Sequence, residues 1–197
     1  GIDLSFSDEE TADLRRLEAF NQSRSCRCEW VAGGALRELE PSVSSAARAG
    51  LLFPDDHRVN PQALGDALLR AAAAHGAQVA LGTRVTRIDS ADSKGVQLTL
   101  QSEHGDHAIG VDCVVLAAGA WAGELAGTAV LEVAVKPIRG QQCRFRGGDS
   151  LRHILRYDGN YLLPEGDEVV AGSTVEDVGF NLDTTHDAES MLSSFCT

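Results

Sequence analysis

Asp55-Asp56-His57 sets two carboxylates and an imidazole side by side, a donor set suited to a divalent cation. Three adjacent residues cannot easily converge on one ion from an extended or turning backbone, so the run reads as a polar turn leading to Asn60. Cys26 and Cys28 form a C-x-C pair, but no second pair or nearby histidine completes a zinc site. No metal site is therefore expected. The five cysteines (Cys26, Cys28, Cys113, Cys143, Cys196) read as free structural thiols in a reducing, cytoplasmic setting. Cys113 lies in an apolar run and reads as a small core residue. His104 and His107 flank a turn and read as solvated; His75 sits near a helix end, where a protonated imidazole would complement the dipole. Tyr161 follows a turn and carries a hydroxyl that needs a partner. Arg139, beside Gly140 at a bend, reads first as a structural ion-pair partner. Gly119 closes the apolar run from Val111 to Ala118 and opens a helix through Ala120 and Trp121. There a ligand, or simply a packed helix, could approach the backbone closely. No G-x-G-x-x-G, Walker A, H-E-x-x-H or G-x-S-x-G motif is present.

These side chains need a scaffold, and the composition supplies an ordinary one. At 43% hydrophobic and 23% charged, the 197 residues suit a globular fold rather than disorder. Seventeen Lys and Arg against 29 Asp and Glu give a net charge of −12, which repels nucleic acid and anionic membranes. No apolar run approaches the roughly 20 residues of a membrane-spanning helix, and no basic-then-apolar leader opens the sequence.

Ser7 and Glu10 predict a capping box before a helix with Leu14, Leu17 and Phe20 on one face. A second short helix is expected over 35–40, then loop over 42–48 and a short strand over 50–54. Asn60 and Pro61 predict a helix start, with Leu64, Leu68 and Leu69 following and Gly76 as the stop. Strands are expected over 78–81, 83–88 and 96–101. The continuous apolar run 112–118 predicts a strand buried on both faces, the kind found in parallel sheets. Val133, Val135, Cys143 and Phe145 suit further strands. Runs 154–157, 161–164 and 169–175, with turns at Asp158-Gly159 and Gly166-Asp167, predict an antiparallel meander.

Five stretches in order then carry a likeness. They are Phe53-Pro54-Asp55-Asp56-His57-Arg58-Val59-Asn60-Pro61, Gly82-Thr83-Arg84-Val85, and Val115-Leu116-Ala117-Ala118-Gly119-Ala120-Trp121-Ala122-Gly123. Pro137-Ile138-Arg139-Gly140-Gln141 is the fourth; Tyr161-Leu162-Leu163-Pro164 followed by Gly172-Ser173-Thr174-Val175-Glu176-Asp177-Val178-Gly179-Phe180 is the fifth. Together they resemble the D-amino-acid oxidase family of flavoproteins, and within it the glycine oxidases of the thiamine-biosynthesis type. The resemblance implies FAD as cofactor, a small amino acid or amine as substrate, and oxygen as oxidant. It implies oxidative deamination of glycine or a similar amino acid to an imine or 2-oxo acid, with hydrogen peroxide formed. It assigns the backbone of Val85 to the adenine of FAD, Ala118 and Gly119 to the strand end beside the cofactor, and Tyr161 to the substrate pocket. The catalytic residues stay unknown, because the arginine that clamps the substrate carboxylate in the family has no counterpart here.

The implied fold class is α+β/α/β mixed: the central part of a FAD-binding domain interleaved with an antiparallel-sheet substrate domain. The expected division is 1–50 (a helical segment of the substrate domain), 51–130 (FAD-binding part) and 131–197 (antiparallel substrate domain). The family's opening glycine fingerprint is missing, so the sequence is expected to be a central piece of such an enzyme. Homo-oligomers are expected by analogy. Two other readings stand beside this one: a non-catalytic scaffold of the same fold, and a related flavin enzyme of the sarcosine-oxidase or glycerol-phosphate-dehydrogenase type. The purified 197-residue chain is expected to be colourless and to form no peroxide with glycine; an absorption spectrum of bound flavin would contradict this.

Overall fold

Short alternating stretches and two well-capped helices build most of the molecule. The computed structural model describes residues 1–90, 95–126, 135–147, 151–187 and 190. In chain order the elements are β1 (Ile2–Ser5), α1 (Asp8–Ser23), β2 (Glu29–Ala32), α2 (Gly33–Leu39), β3 (Ala49–Leu52), α3 (Pro61–Ala74), β4 (Arg84–Ser90), β5 (Val96–Ser102), β6 (Gly105–Val111), α4 (Ala122–Ala126), β7 (Gln142–Arg146), β8 (Leu155–Tyr157), β9 (Asn160–Glu165) and β10 (Glu168–Gly172). They form two units. One holds Gly1–Arg58, Arg139–Glu176 and the chain from Asn181; the other holds Val59–Ile138 with Asp177–Phe180.

The first unit is built on a seven-stranded sheet of order β2-β3-β1-β8-β9-β10-β7. Its strands pair antiparallel except β1 with β8, which run parallel with Ile2 opposite Leu155 and Asp3 opposite Arg156. The meander β8-β9-β10 follows the predicted runs and turns, and β7 adds to its far edge. The stretch 1–50, expected as a helical segment, also carries β1 and β2. Strand alternation divides the sheet into two faces. Ile2 and Leu155 lie on one, where they pack with Leu36 of α2 and with Val43 and Ala47 into the core. The loop 42–48 is therefore irregular but not wholly exposed. On the other face, α1 packs over β1 and β3. The Ser5 hydroxyl meets Thr11 Oγ1 at 2.9 Å, and the Arg15 guanidinium sits 3.4 Å from the centre of the Trp30 ring.

The capping box before α1 is complete: Glu10 N donates to Ser7 Oγ at 3.2 Å, and Ser7 N donates to the Glu10 carboxylate at 2.8 Å. A buried carboxylate ties the two ends of this unit together. Glu40, at the end of α2, is 0% exposed. Its Oε2 accepts from the backbone N–H groups of Arg152 and His153, both at 2.8 Å, and its Oε1 accepts from Ser42 N at 3.3 Å.

The second unit holds α3 and the antiparallel meander β4-β5-β6. Asn60 Oδ1 accepts from Ala63 N at 3.0 Å and Pro61 opens α3, as the sequence predicts. Three expectations fail here. Residues 78–81 form no strand, and the β-structure begins at Arg84. His104 and His107, expected to flank a turn, do not: the turn is Glu103-His104, and His107 lies on a full strand, Gly105–Val111, paired to β5. The apolar run 112–118 is not a buried strand: it is irregular, Val115 is 86% exposed, and Cys113 is exposed rather than a core residue. A doubly buried strand needs a hydrogen-bonded neighbour on each side, and the three-stranded sheet stops at β6. In the first unit β10 ends at Gly172, short of Val175, which is exposed; Val135 lies outside any strand. Val133 and Cys196 lie outside the described residues. The other four cysteines are free, and among the described residues no cluster of ligand side chains could hold a metal ion. No described helix is long and apolar enough to cross a membrane.

Replacing Glu40 by alanine strips the Arg152 and His153 amides of their shared acceptor. The expected loss is about 2 kcal/mol, read as a lower urea midpoint with an unchanged slope, and Glu40→Gln should lose less because one acceptor oxygen remains.

Candidate functional site

In the second unit Val85 and Ala118 come together. They line one cavity of about 360 Å³ with Arg84, Trp121, Glu124 and Leu125. Val85 is on β4, an edge strand, and a β-bulge follows between Val85 and Arg87. Bulges at sheet edges break the ladder and re-aim the backbone, which suits a strand that meets a ligand. Ala118 precedes a single 3-10 turn, Gly119–Trp121, closed by Trp121 N donating to Ala118 O at 3.0 Å. Gly119 has φ +51°, the left-handed conformation that side chains other than glycine's rarely adopt, and a Cβ added there would meet nothing within 4 Å. The helix start expected here amounts to that turn plus the five residues of α4, too short to offer a dipole-based anion site. The cavity's own chemistry is apolar and aromatic, with one ion pair at its rim, Arg84 Nη2 to Glu124 Oε2 at 3.0 Å. The Trp121 ring stacks on Phe180 at 5.5 Å between centroids. The recess is thus apolar, walled on one side by the Trp121 indole, and lies beside a bulged edge strand.

Tyr161 lies in the first unit, on β9. Directly opposite pairs share a face of a sheet, so the pairings Tyr161–Arg156, Tyr161–Gly172 and Gly172–Gln142 place four residues in one transverse row. Asp3, opposite Arg156 on β1, extends that row. The row lies on the α1 face, away from the core. The Tyr161 ring leans over Gly172: a Cβ at 172 would stand 2.6 Å from Tyr161 Oη and 2.7 Å from Cζ. Beyond Gly172, Gln142 Nε2 donates to Tyr161 Oη.

Arg156, on the other side of Tyr161, is already engaged. Its Nε donates to Asp3 Oδ1 at 2.5 Å, and its Nη1 donates to Asp56 Oδ2. These carboxylates hold its guanidinium above the ordinary arginine range against the opposing effect of burial. The Asp55-Asp56-His57 run is thus a turn, with Asp56 N donating to Phe53 O at 3.2 Å and Asp56 spent on an ion pair rather than a metal.

Arg139 is likewise an ion-pair partner, and it holds the end of the row in register. Arg139 and Glu176 exchange backbone hydrogen bonds of 2.9 Å in each direction, and Arg139 Nη2 donates to Glu176 Oε2 at 2.5 Å. Gln141 Nε2 donates to Glu176 Oε1 at 2.6 Å, and the Thr174 hydroxyl donates to the same oxygen at 2.5 Å. The Thr174 hydroxyl, followed by the Arg139 guanidinium and the Gln141 amide, holds the Glu176 carboxyl down at about 2. The sequence pointed to Val85, Ala118, Gly119 and Tyr161. It did not point to Trp121 as a cavity wall, nor to Gln142 and Gly172. A Gly opposite a Tyr, with an amide side chain one strand further on, is readable only after the strands are paired.

A carboxyl lowered in the fold stabilises it fully above its ordinary pKa of 4.5, and that contribution is lost as pH falls from there toward 2. Glu176→Gln should therefore melt below the parent at neutral pH, with the gap closing as pH falls below about 4.5; a gap independent of pH would contradict this.

The sequence pattern of the DAO family, FAD dependent oxidoreductase, matches residues 1–197. The chain is 36% identical over 162 residues to the hydrogen cyanide synthase subunit HcnC of Pseudomonas protegens, covering 80% of this chain and 38% of that protein. It is 32% identical over 177 residues to the glycine oxidase of Geobacillus kaustophilus, covering 88% of this chain and 46% of that one. It thus spans less than half the length of each of these relatives. The crystal structure of glycine oxidase from Geobacillus kaustophilus superposes with a TM-score of 0.88 at 28% identity, over 98% of this chain and 52% of that structure.

Proposed function

Because the chain belongs to the DAO family of FAD dependent oxidoreductases, we propose that the whole protein deaminates glycine or a similarly small amino acid oxidatively, giving an imine or 2-oxo acid and hydrogen peroxide. The observation that carries this reading is Tyr161, on the α1 face of the seven-stranded sheet with its hydroxyl held by Gln142. The likeness to the Geobacillus kaustophilus glycine oxidase supports it.

In this reading the two units divide the work. The second unit supplies the adenine end of the cofactor site. The bulged backbone at Val85 and the recess beside Ala118 and Gly119 take the ring, and the indole of Trp121 excludes water. When bound, FAD supplies the acceptor for the hydride leaving the substrate Cα, with oxygen as the final oxidant. The first unit supplies Tyr161, whose hydroxyl binds and orients a small polar substrate. Arg156 is left out of that task because Asp3 and Asp56 already neutralise it. A second reading, a subunit of a hydrogen cyanide synthase, is favoured by the 36% identity to HcnC.

The test uses the whole protein. It should purify yellow and release peroxide with glycine in preference to sarcosine, proline and glycerol phosphate. Absence of oxidation with every amino acid offered would refute the reading, and cyanide among the products would select the second one. Ala118→Leu, which fills the recess, should lower the flavin-to-protein absorbance ratio severalfold while leaving the circular dichroism of the sheet unchanged.

A further inference from the structure

We propose that Gln142 and Gly172 are positioning residues that aim the Tyr161 hydroxyl and reserve its proton for the carboxylate of the substrate. The proposal rests on the reading of Tyr161 as a substrate-binding residue. The geometry assigns each partner a separate part. Gly172 provides the space: with any Cβ at 172 the ring could not lie where it does, since the Cβ would be 2.6 Å from Tyr161 Oη. Gln142 provides the direction, because its Nε2 donates to Tyr161 Oη. An amide nitrogen has hydrogens to give and no lone pair to receive. Bonded in this way, the phenol acts as acceptor toward Gln142 and keeps its own O–H free, so what it offers a ligand is a donor. The matching ligand group is an acceptor, above all an anionic one, since hydrogen bonds to charged groups are the stronger kind.

The surroundings keep this arrangement fixed. Gln141, one residue before Gln142, is bound to Thr185 through both ends of its side chain: Nε2 donates to Thr185 Oγ1 at 3.0 Å, and Thr185 N donates to Oε1 at 2.8 Å. The Arg139–Glu176 bridge continues the β7–β10 pairing past Gln142 and Gly172. Arg156, the remaining neighbour in the row, is held by Asp3 and Asp56. Nothing in the sequence likeness distinguished Gln142; its role follows from the register of three strands.

The experiment compares Tyr161→Phe, Gln142→Leu, Gln142→Glu and the double variant Gln142→Leu/Tyr161→Phe in the whole, flavin-loaded protein. Two readouts are used: steady-state kinetics with glycine, and binding of glycolate, a small carboxylate probe, followed by the change in flavin absorbance. Gln142→Leu should raise KM for glycine and Kd for glycolate by roughly tenfold with a smaller change in kcat, and Tyr161→Phe should do the same. The double variant should be no worse than either single one. Gln142→Glu adds a pH signature absent from the parent. Its ionised carboxylate accepts the phenol's O–H hydrogen bond and repels the probe, so glycolate binding should be weak at neutral pH and recover as pH falls and the new side chain becomes a donor. That signature is read within one variant and so does not depend on Gln142→Leu folding normally. If Tyr161→Phe weakens binding while Gln142→Leu leaves it within twofold, the role of Gln142 is refuted and that of Tyr161 stands. If Tyr161→Phe itself has no effect, both fall. Additive losses in the double variant, or a flat pH profile for Gln142→Glu, would also overturn the proposal.

Discussion

The register of four neighbouring strands is the constraint on which the first unit depends. Side chains alternate between faces, so a shift of one residue in β9 would bury Tyr161 and turn Leu162 out to the α1 face. What prevents the shift is the core: Leu162 packs against the buried cluster that contains Ile2 and Leu155. The apolar face and the polar row are therefore one decision made twice. Packing Leu155 and Leu162 inward places Arg156, Tyr161, Gly172 and Gln142 together on the opposite face, with no further instruction.

Much of this framework was legible along the sequence wherever the signal was local. Ser7 with Glu10, and Asn60 with Pro61, announce helix starts because their hydrogen bonds close within three residues. Asp158-Gly159 and Gly166-Asp167 announce the turns of the meander. What escaped was non-local or too short. β1 and β2 have four residues each, too few for a period of two to stand out, and the partner of β1 on one side is β8, in the last third of the chain. The run 112–118 misled for a related reason. Its composition describes a strand with neighbours on both sides, but composition states only what a segment can do once neighbours are beside it.

The candidate site divides along the same line. Val85, Ala118, Gly119 and Tyr161 came from a likeness between ordered motifs, and the fold adds what no motif carries. It brings Val85 and Ala118 to one recess, supplies Trp121 as a wall, and sets Gln142 against Tyr161. Arg139 and the Asp55-Asp56-His57 turn gain equally clear roles as ion-pair and turn elements. Polar side chains that look alike in the sequence thus separate: Asp56, Arg139 and Arg156 spend their charge on ion pairs within the fold, whereas Tyr161 accepts from Gln142 and keeps its own proton.

The parallel pairing of β1 with β8 also has a history in synthesis. Leu155, the partner of Ile2, is translated roughly 150 residues after it. At ribosomal rates of about 5–20 residues per second the interval is on the order of ten seconds. During it β1 can already pair with β3 and be covered by α1, while its other edge, with free backbone N–H and C=O groups, waits for a strand. An edge of that kind recruits whatever extended chain is nearby. The length of β1, only four residues, keeps that waiting edge short.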